Sequence, residues 1–194
     1  MTDQPTNPFT TTTYIGPKYF CDRKHESDLI LKKVKNGSSI TLLSVRRMGK
    51  TGLIHHINNQ LPNDVIGVYV DILNTENLTG FLNQLSSALI NASEKNLTTG
   101  NKIWKFIRSL RPTIGFDSLT GSPYTSFNIQ KQETENNIEN IFQFIDTSDQ
   151  KYVIAIDEFQ QILNYPEENT DAWLRTIIQK LKKRHLSLQV VSNI

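Results

Sequence analysis

Gly49, Lys50 and Thr51 form a tripeptide whose residue types and order suit the binding of a nucleotide's phosphates. Glycine lets the backbone approach an anion closely, and the N–H groups at the start of a helix point towards it. Lysine at this place reaches the β- and γ-phosphates, and a threonine hydroxyl ligates Mg²⁺. We therefore interpret the surrounding stretch as a phosphate-binding loop. The residues predicted to contact the nucleotide there are Ser44, Arg46, Arg47, Met48, Gly49, Lys50, Thr51 and Gly52.

Ser44 is where this stretch departs from the general phosphate-loop pattern, which has a glycine, four residues, and then Gly-Lys-Ser or Gly-Lys-Thr. A serine is small enough for the turn, although its Cβ restricts φ. The alternative interpretation is a basic turn between a strand and a helix in which Gly-Lys-Thr occurs by chance. The context favours a phosphate loop, because an apolar run at residues 40–43 precedes it and a helical pattern follows.

Asp157 and Glu158 are adjacent carboxylates at the end of a second apolar run, residues 152–159. A nucleotide site that works with Mg²⁺ needs such a pair. Asp157 is predicted to hold the metal through water, together with Thr51, and Glu158 to polarise the attacking water. Lys50 and Glu158 are thus the predicted catalytic residues. The alternative is an acidic strand end that is simply exposed to solvent.

Strand and helix patterns alternate along the chain. This alternation predicts an α/β fold with three layers around a mostly parallel sheet, and functional groups at the carboxyl ends of the strands, where Asp71 also lies. The predicted strands are residues 40–43, 65–72, 152–159 and 186–191, and the predicted helices are residues 26–35, 50–60, 74–92, 134–145 and 173–183.

Two regions fall outside this alternation. Residues 1–18 carry prolines and a threonine run, so we expect an extended lead-in before a core of residues 19–194. Residues 97–132 are predicted to be an insertion with a small hairpin, because a basic amphipathic piece runs into a segment rich in Gly, Ser and Pro. The basic piece, residues 102–111, either contacts a partner or nucleic acid or forms a solvated helix face. The solvated face is the favoured interpretation.

The composition is that of an ordinary globular domain, with 37% apolar and 21% charged residues in a chain of 194. The net charge of +2 neither implies nor excludes a nucleic-acid partner. Cys21 is the single cysteine, so an intrachain disulfide is excluded. The sequence shows no apolar run typical of a signal peptide or a membrane span, so we expect a cytoplasmic protein that makes no membrane contact.

Several longer segments match a known family in combination: NPF (7–9), YFCDR (19–23), RRMGKTGLI (46–54), VDILNTENLTGF (70–81), IDEFQQI (156–162) and YPEENTDAWLRTIIQ (165–179). The sequence thereby resembles the archaeal-type ATP-binding proteins of the AAA+/STAND branch of P-loop ATPases, in a group typical of Bacteroidetes-like bacteria. The resemblance implies ATP and Mg²⁺ as cofactors, a sheet of strand order 5-1-4-3-2, and an adenine near Tyr19, Phe20 and Arg23. From the residues alone, these aromatic side chains either stack on a base or pack onto the core as a hydrophobic staple.

The resemblance also implies what such a domain does. It would hydrolyse ATP with Mg²⁺ and pass a conformational change to a C-terminal region that contacts DNA or a protein. A nucleotide-binding interaction module without useful hydrolysis is the alternative. A nucleoside-phosphate kinase is disfavoured, because the sequence indicates no acceptor pocket or lid. Oligomeric state and base specificity stay open.

The tail RHLSLQVVSNI departs from the family, whose members continue through a polar sensor, a fifth strand and a helical lid. The genetic code permits codons for residues 188–193 that read Ser-Gly-Ser-Gln-Gln-His, as in the family, in a frame shifted at His185. We therefore expect the last ten or so residues to be out of frame, with the fifth strand, sensor, arginine finger and lid absent. Such a chain would have an unpaired sheet edge and hydrolysis lowered by orders of magnitude. Sequencing the gene tests this, since an uninterrupted frame with no family-like frame downstream would contradict it.

Overall fold

The computed structural model describes residues 14–20, 23–38, 40–45, 48–93, 97–181 and 186–193. In these residues, helices and strands alternate as the sequence predicts. The helices are α1 (Lys24–Lys35), α2 (Lys50–Gln60), α3 (Leu78–Ser93), α4 (Leu97–Ser109), α5 (Lys131–Thr147) and α6 (Thr170–Lys180). The strands are β1 (Ile40–Val45), β2 (Val65–Asp71), β3 (Thr113–Phe116), β4 (Pro123–Ser126), β5 (Lys151–Asp157) and β6 (Leu186–Asn193), and short 3₁₀ helices lie at Pro17–Tyr19 and Phe159–Asn164.

The main sheet has the strand order β1-β6-β5-β2, and all of its pairings are parallel. These strands are the first, fourth, third and second of the predicted sheet, so the predicted relative order 1-4-3-2 is confirmed. β6 lies between β1 and β5 and pairs with both. β1 and β2 are the two edges of this sheet in the part of the chain that the structure describes.

Side chains of alternating residues in β5 divide between two helical layers. Tyr152, Ile154 and Ile156 join the large core beneath α3, α5 and α6. Ala155 packs on the other face against Ile54 of α2. Because successive strand residues point to opposite faces, Asp157 lies on the α2 face, as Ala155 does. The three-layer arrangement therefore brings this acid to the helix that begins at the predicted phosphate loop.

The predicted hairpin is present as β3 and β4, which pair antiparallel. The hairpin is hydrogen-bonded to α3. The amide oxygen of Asn83 accepts a hydrogen bond at 2.9 Å from the N–H of Phe127, the residue after β4. Ser87 adds a hydrogen bond from the Thr125 N–H to its hydroxyl at 2.9 Å. Residues 102–109 of the predicted basic piece belong to the longer helix α4, which ends at Ser109, and residues 110–111 lie beyond it. Arg108 lies over the Trp104 ring at 5.2 Å.

Several predicted boundaries were wrong, and two of the differences have a local reason. The helix predicted to begin at residue 74 begins at Leu78, because the Asn77 amide oxygen accepts the Gly80 N–H at 2.8 Å and caps the helix. The strand predicted to reach residue 159 ends at Asp157, because Glu158 adopts a left-handed conformation. The helix predicted at residues 173–183 runs from Thr170 to Lys180 instead.

Some predictions fall on residues that the structure does not describe. They include residues 1–13 of the predicted lead-in, Arg46 and Arg47 of the predicted loop, and residues 182–185 at the predicted reading-frame change. Within the described ranges, no helix has the length and apolar character needed to cross a bilayer.

Candidate functional site

Gly49 shapes the start of the candidate site. It is the residue before α2 and adopts a left-handed conformation with φ 70° and ψ 24°, which glycine reaches without the steric cost that other residues incur. The residue before this helix is a glycine, so it has no side chain that could hydrogen-bond the first N–H groups of α2. These N–H groups belong to Lys50, Thr51 and Gly52, and a helix N-terminus suits an anion.

Thr51 and Asp157 join the two predicted halves of the site. The Thr51 hydroxyl donates a hydrogen bond to Oδ2 of Asp157 at 2.7 Å, across 106 residues of sequence. Asp157 is only 2% exposed, and the side chain of Lys50, one residue before Thr51, is 7% exposed. The loop and the acidic strand end thus meet on one face of the sheet, as the sequence predicts.

Tyr69 is a site residue that the sequence analysis missed. Its hydroxyl donates to Oδ2 of Asp157 at 3.0 Å, the same oxygen that accepts from Thr51. Burial raises the pKa of the Tyr69 phenol, and the charges of Asp157 and Asp71 raise it further, so the phenol stays protonated and donates. The His55 ring of α2 packs against the Tyr69 ring with 4.6 Å between centroids.

Alternation along β2 is the signal that could have identified Tyr69. Residues 67, 69 and 71 share one face of the strand, and Asp71 pairs in register with Asp157. A tyrosine two residues before the end of this strand therefore faces the same helix as the acid. The register between β2 and β5 was needed to see this, and the sequence does not provide it.

Glu158 turns the chain sharply after β5. Its φ of 56° and ψ of 38° are left-handed, and its N–H donates to Oδ1 of Asp157 at 3.0 Å. The Gln160 side-chain amide donates a hydrogen bond to Oε2 of Glu158. The residue predicted to polarise water therefore directly follows Asp157, the predicted metal ligand, and its carboxylate is held by a neighbouring amide.

Two of the three residues that the resemblance assigned to the adenine, Phe20 and Arg23, contact α2 and the predicted phosphate loop. The Arg23 guanidinium donates to the Met48 carbonyl at 2.8 Å, which joins the start of α1 to the loop. Phe20 stacks on His56 of α2 with ring centroids 3.8 Å apart and packs on the core beneath α1 and α2. Tyr19 is in the first 3₁₀ helix and is partly buried. Phe20 therefore makes the core contact of the staple interpretation, and a contact with a base stays a prediction.

The donor set at this site fits Mg²⁺ bound together with a nucleotide. Among the described residues, no group of three or more His, Cys, Asp or Glu could hold a metal ion without further ligands. Mg²⁺ in phosphate sites takes most of its ligands from water and phosphate oxygens and few from the protein. The hydroxyl of Thr51 and the buried carboxylate of Asp157, 2.7 Å apart, are ligands of this kind.

No protein-family model matches the sequence, and no curated protein matches it. Solved structures do resemble the chain. A Walker-type ATPase of Pyrococcus abyssi superposes with a TM-score of 0.56 at 16% identity, covering 96% of this chain and 49% of its own. The ORC1 protein of Aeropyrum pernix, solved in complex with DNA, gives a TM-score of 0.54 at 13% identity over 92% of this chain and 42% of its own. Cdc6p of Pyrobaculum aerophilum gives 0.54 at 13% identity over 92% and 41%.

These similarities establish the fold. The chain shares the α/β fold of these structures, with a parallel sheet between helical layers. It spans about half the length of the Pyrococcus ATPase and less of the ORC1 and Cdc6p proteins.

Proposed function

We propose that the chain is an ATP-binding P-loop ATPase domain. The observation that carries this proposal is the 2.7 Å hydrogen bond between Thr51 at the start of α2 and Asp157 at the end of β5. It joins a helix N-terminus suited to phosphate with an acid suited to Mg²⁺, and the acid is almost fully buried. An acidic strand end without a function would leave its carboxylate in water. The burial of Asp157 therefore argues against the alternative that this strand end is simply exposed to solvent.

Each residue of the site has a distinct part in the proposed mechanism. The first N–H groups of α2 bind phosphate oxygens, and the Lys50 ammonium neutralises the β- and γ-phosphates. Thr51 and Asp157 would hold Mg²⁺, which would supply positive charge to offset the negative charge that develops on the phosphates. Glu158 accepts hydrogen bonds from the attacking water and orients it for an in-line attack on the γ-phosphate.

Binding and turnover measurements on two variants test this proposal. Lys50→Ala should weaken ATP binding by at least roughly tenfold, because it removes the charge that faces the phosphates. Glu158→Gln should keep binding but lower phosphate release by about 10²–10⁴-fold, the usual contribution of a positioned acid or base. Lys151→Ala is the control, since Lys151 begins β5 at the opposite end and pairs with Asp64 on the surface at 3.2 Å. Unchanged ATP affinity in Lys50→Ala would contradict the assignment.

A nucleotide-binding module without useful turnover is the second candidate. It is favoured by the hydrogen bond from Gln160 to the Glu158 carboxylate, because an oxygen engaged by an amide is less available to water. Phosphate release by Gln160→Ala at saturating Mg²⁺ and ATP separates the candidates. Release that rises in this variant indicates an ATPase held back by Gln160, whereas release that stays at background in both chains indicates a binding module.

We further propose that nucleotide binding changes the affinity of the protein for a partner molecule. The ORC1 protein of Aeropyrum pernix was solved with DNA, so duplex DNA is the first partner to test. A fluorescence anisotropy titration with a labelled duplex, with and without Mg²⁺ and ATP, makes this test. Affinity that depends on nucleotide supports coupling, and equal affinity in both conditions argues against it.

A further inference from the structure

We propose that Tyr69 of β2 is a positioning residue that sets the Mg²⁺ affinity of the nucleotide site by holding the Asp157 carboxylate in one orientation. This inference rests on the proposed function, because it concerns the metal that accompanies the nucleotide. It adds to that function a residue from the edge strand β2, outside both predicted motifs.

The Asp157 carboxylate is fixed by donors from different parts of the fold. Oδ2 accepts from the Thr51 hydroxyl at 2.7 Å and from the Tyr69 hydroxyl at 3.0 Å. Oδ1 accepts from the Glu158 N–H at 3.0 Å. Because the donors approach both oxygens, the plane of the carboxylate is defined as well as its position.

Tyr69 is held more firmly than a loop side chain would be. It pairs in register with Ala155, two residues before Asp157 on the neighbouring strand. Two residues of a strand span about 6.6 Å, which is close to the reach of a tyrosine side chain. The His55 ring packs against the Tyr69 ring at 4.6 Å on the side of α2. The Tyr69 hydroxyl that reaches Asp157 therefore belongs to a side chain held by strand pairing and by the His55 ring.

Thr51 and Tyr69 both donate to Asp157, but only Thr51 is also a predicted ligand of Mg²⁺. The Thr51 hydroxyl would therefore have to share its oxygen between Asp157 and the ion. Tyr69 is not a predicted ligand, and its hydroxyl can keep donating to Oδ2 of Asp157. Without this hydrogen bond the carboxylate can pivot, and fewer of its orientations would suit Mg²⁺. Partners of metal-binding carboxylates typically change metal affinity by about 10–100-fold when removed.

Tyr69→Phe tests this role, because it removes only the hydroxyl. ATP affinity is measured with EDTA and across a Mg²⁺ titration, using a fluorescent ATP analogue. We expect the ATP affinity in EDTA to stay within about twofold of the wild type. The Mg²⁺ requirement, meaning the Mg²⁺ concentration that gives half of the increase in ATP affinity, should rise roughly tenfold. Tyr152→Phe is the matched control, because Tyr152 is a fully buried tyrosine near the other end of β5. It should leave the Mg²⁺ requirement unchanged.

A double-mutant cycle with Asp157→Asn shows whether Tyr69 acts through Asp157. If it does, adding Tyr69→Phe to Asp157→Asn changes the Mg²⁺ requirement no further. An unchanged or lowered Mg²⁺ requirement in Tyr69→Phe would overturn the inference, as would an equal loss of metal-free affinity or failure of this variant to fold. A wild-type chain that binds no ATP in either condition would instead refute the proposed function itself.

Discussion

Replacing Gly49 by alanine tests whether the left-handed turn before α2 is needed for nucleotide binding. Gly49 has a φ of 70°, and an alanine Cβ built there would lie 4.0 Å from the nearest neighbour, Nη1 of Arg23. The substitution therefore creates no clash within the protein. Its cost arises from the backbone conformation alone, and its effect on the ligand arises from the methyl group in the loop.

The size of the stability effect follows from two opposing contributions. Holding an alanine in the left-handed region costs about 1–2 kcal/mol. The smaller conformational freedom of alanine in the unfolded chain returns about 0.4–1 kcal/mol. The net loss should be about 1 kcal/mol, which lowers the thermal midpoint of a chain of this length by roughly 2–4 °C.

Gly121→Ala is a matched control for Gly49→Ala. Gly121 has a φ of 71° in the β3–β4 turn, and a Cβ there meets nothing within 4 Å. Both variants should therefore lose similar thermal stability in a calorimetric scan. Only Gly49→Ala should also weaken ATP binding, by at least roughly tenfold, because its methyl group and relaxed turn displace N–H groups from the phosphates. Wild-type ATP affinity in Gly49→Ala, or equal losses of affinity in both variants, would refute the phosphate-loop geometry.

Two further predictions concern pH and packing. Burial lowers the pKa of His55 from its ordinary 6.5, so the folded chain binds fewer protons than the unfolded chain and thermal stability should fall as pH drops through 6.5. His55→Gln should make the thermal midpoint depend less steeply on pH, whereas replacing the exposed His25 by glutamine should leave this dependence as it is in the wild type. The same pH dependence in the wild type and in His55→Gln would contradict the prediction. Gly67→Ala places a Cβ 2.6 Å from Oδ1 of Asn58 and should cost about 1–3 kcal/mol in chemical denaturation. In Gly115→Ala the new Cβ comes closest to the ring and hydroxyl of the exposed Tyr124, which can move aside, so this substitution should cost less; the reverse order would contradict this packing.

The halves of the site could be predicted from sequence because each depends on local chemistry. Gly49 and Thr51 belong to a short pattern whose residues act within one turn of helix, and Asp157 ends a continuous apolar strand. Parallel strands align their carboxyl ends, so two such motifs meet at one edge once the sheet is parallel. The relative order of the four strands followed from the family resemblance and not from periodicity, which specifies strands without ordering them.

What sequence could not provide depends on register and on side-chain geometry. Tyr69 meets Asp157 only because β2 and β5 pair with Asp71 opposite Asp157. Asn77 caps α3 although the helical pattern extends further towards the N-terminus. The end of β5 was missed because Phe159 is as apolar as a strand residue, whereas the left-handed Glu158 directs it into the 3₁₀ helix. The contact between Tyr69 and Asp157 joins two strands that are far apart in the sequence, whereas the cap and the turn are local features that the apolar pattern does not show.

Two left-handed residues border the site, and they explain how rigid elements converge there. Gly49 allows α2 to start immediately at the loop, and Glu158 stops β5 immediately after Asp157. A non-glycine residue in this region costs about 1–3 kcal/mol and persists only where surrounding contacts hold it. For Glu158 such contacts are on both sides: its N–H binds Asp157, and its carboxylate accepts from Gln160. In a continued extended strand the Glu158 side chain would point to the face of the sheet opposite Asp157. The left-handed turn therefore changes where the proposed water-orienting group lies relative to the proposed metal ligand.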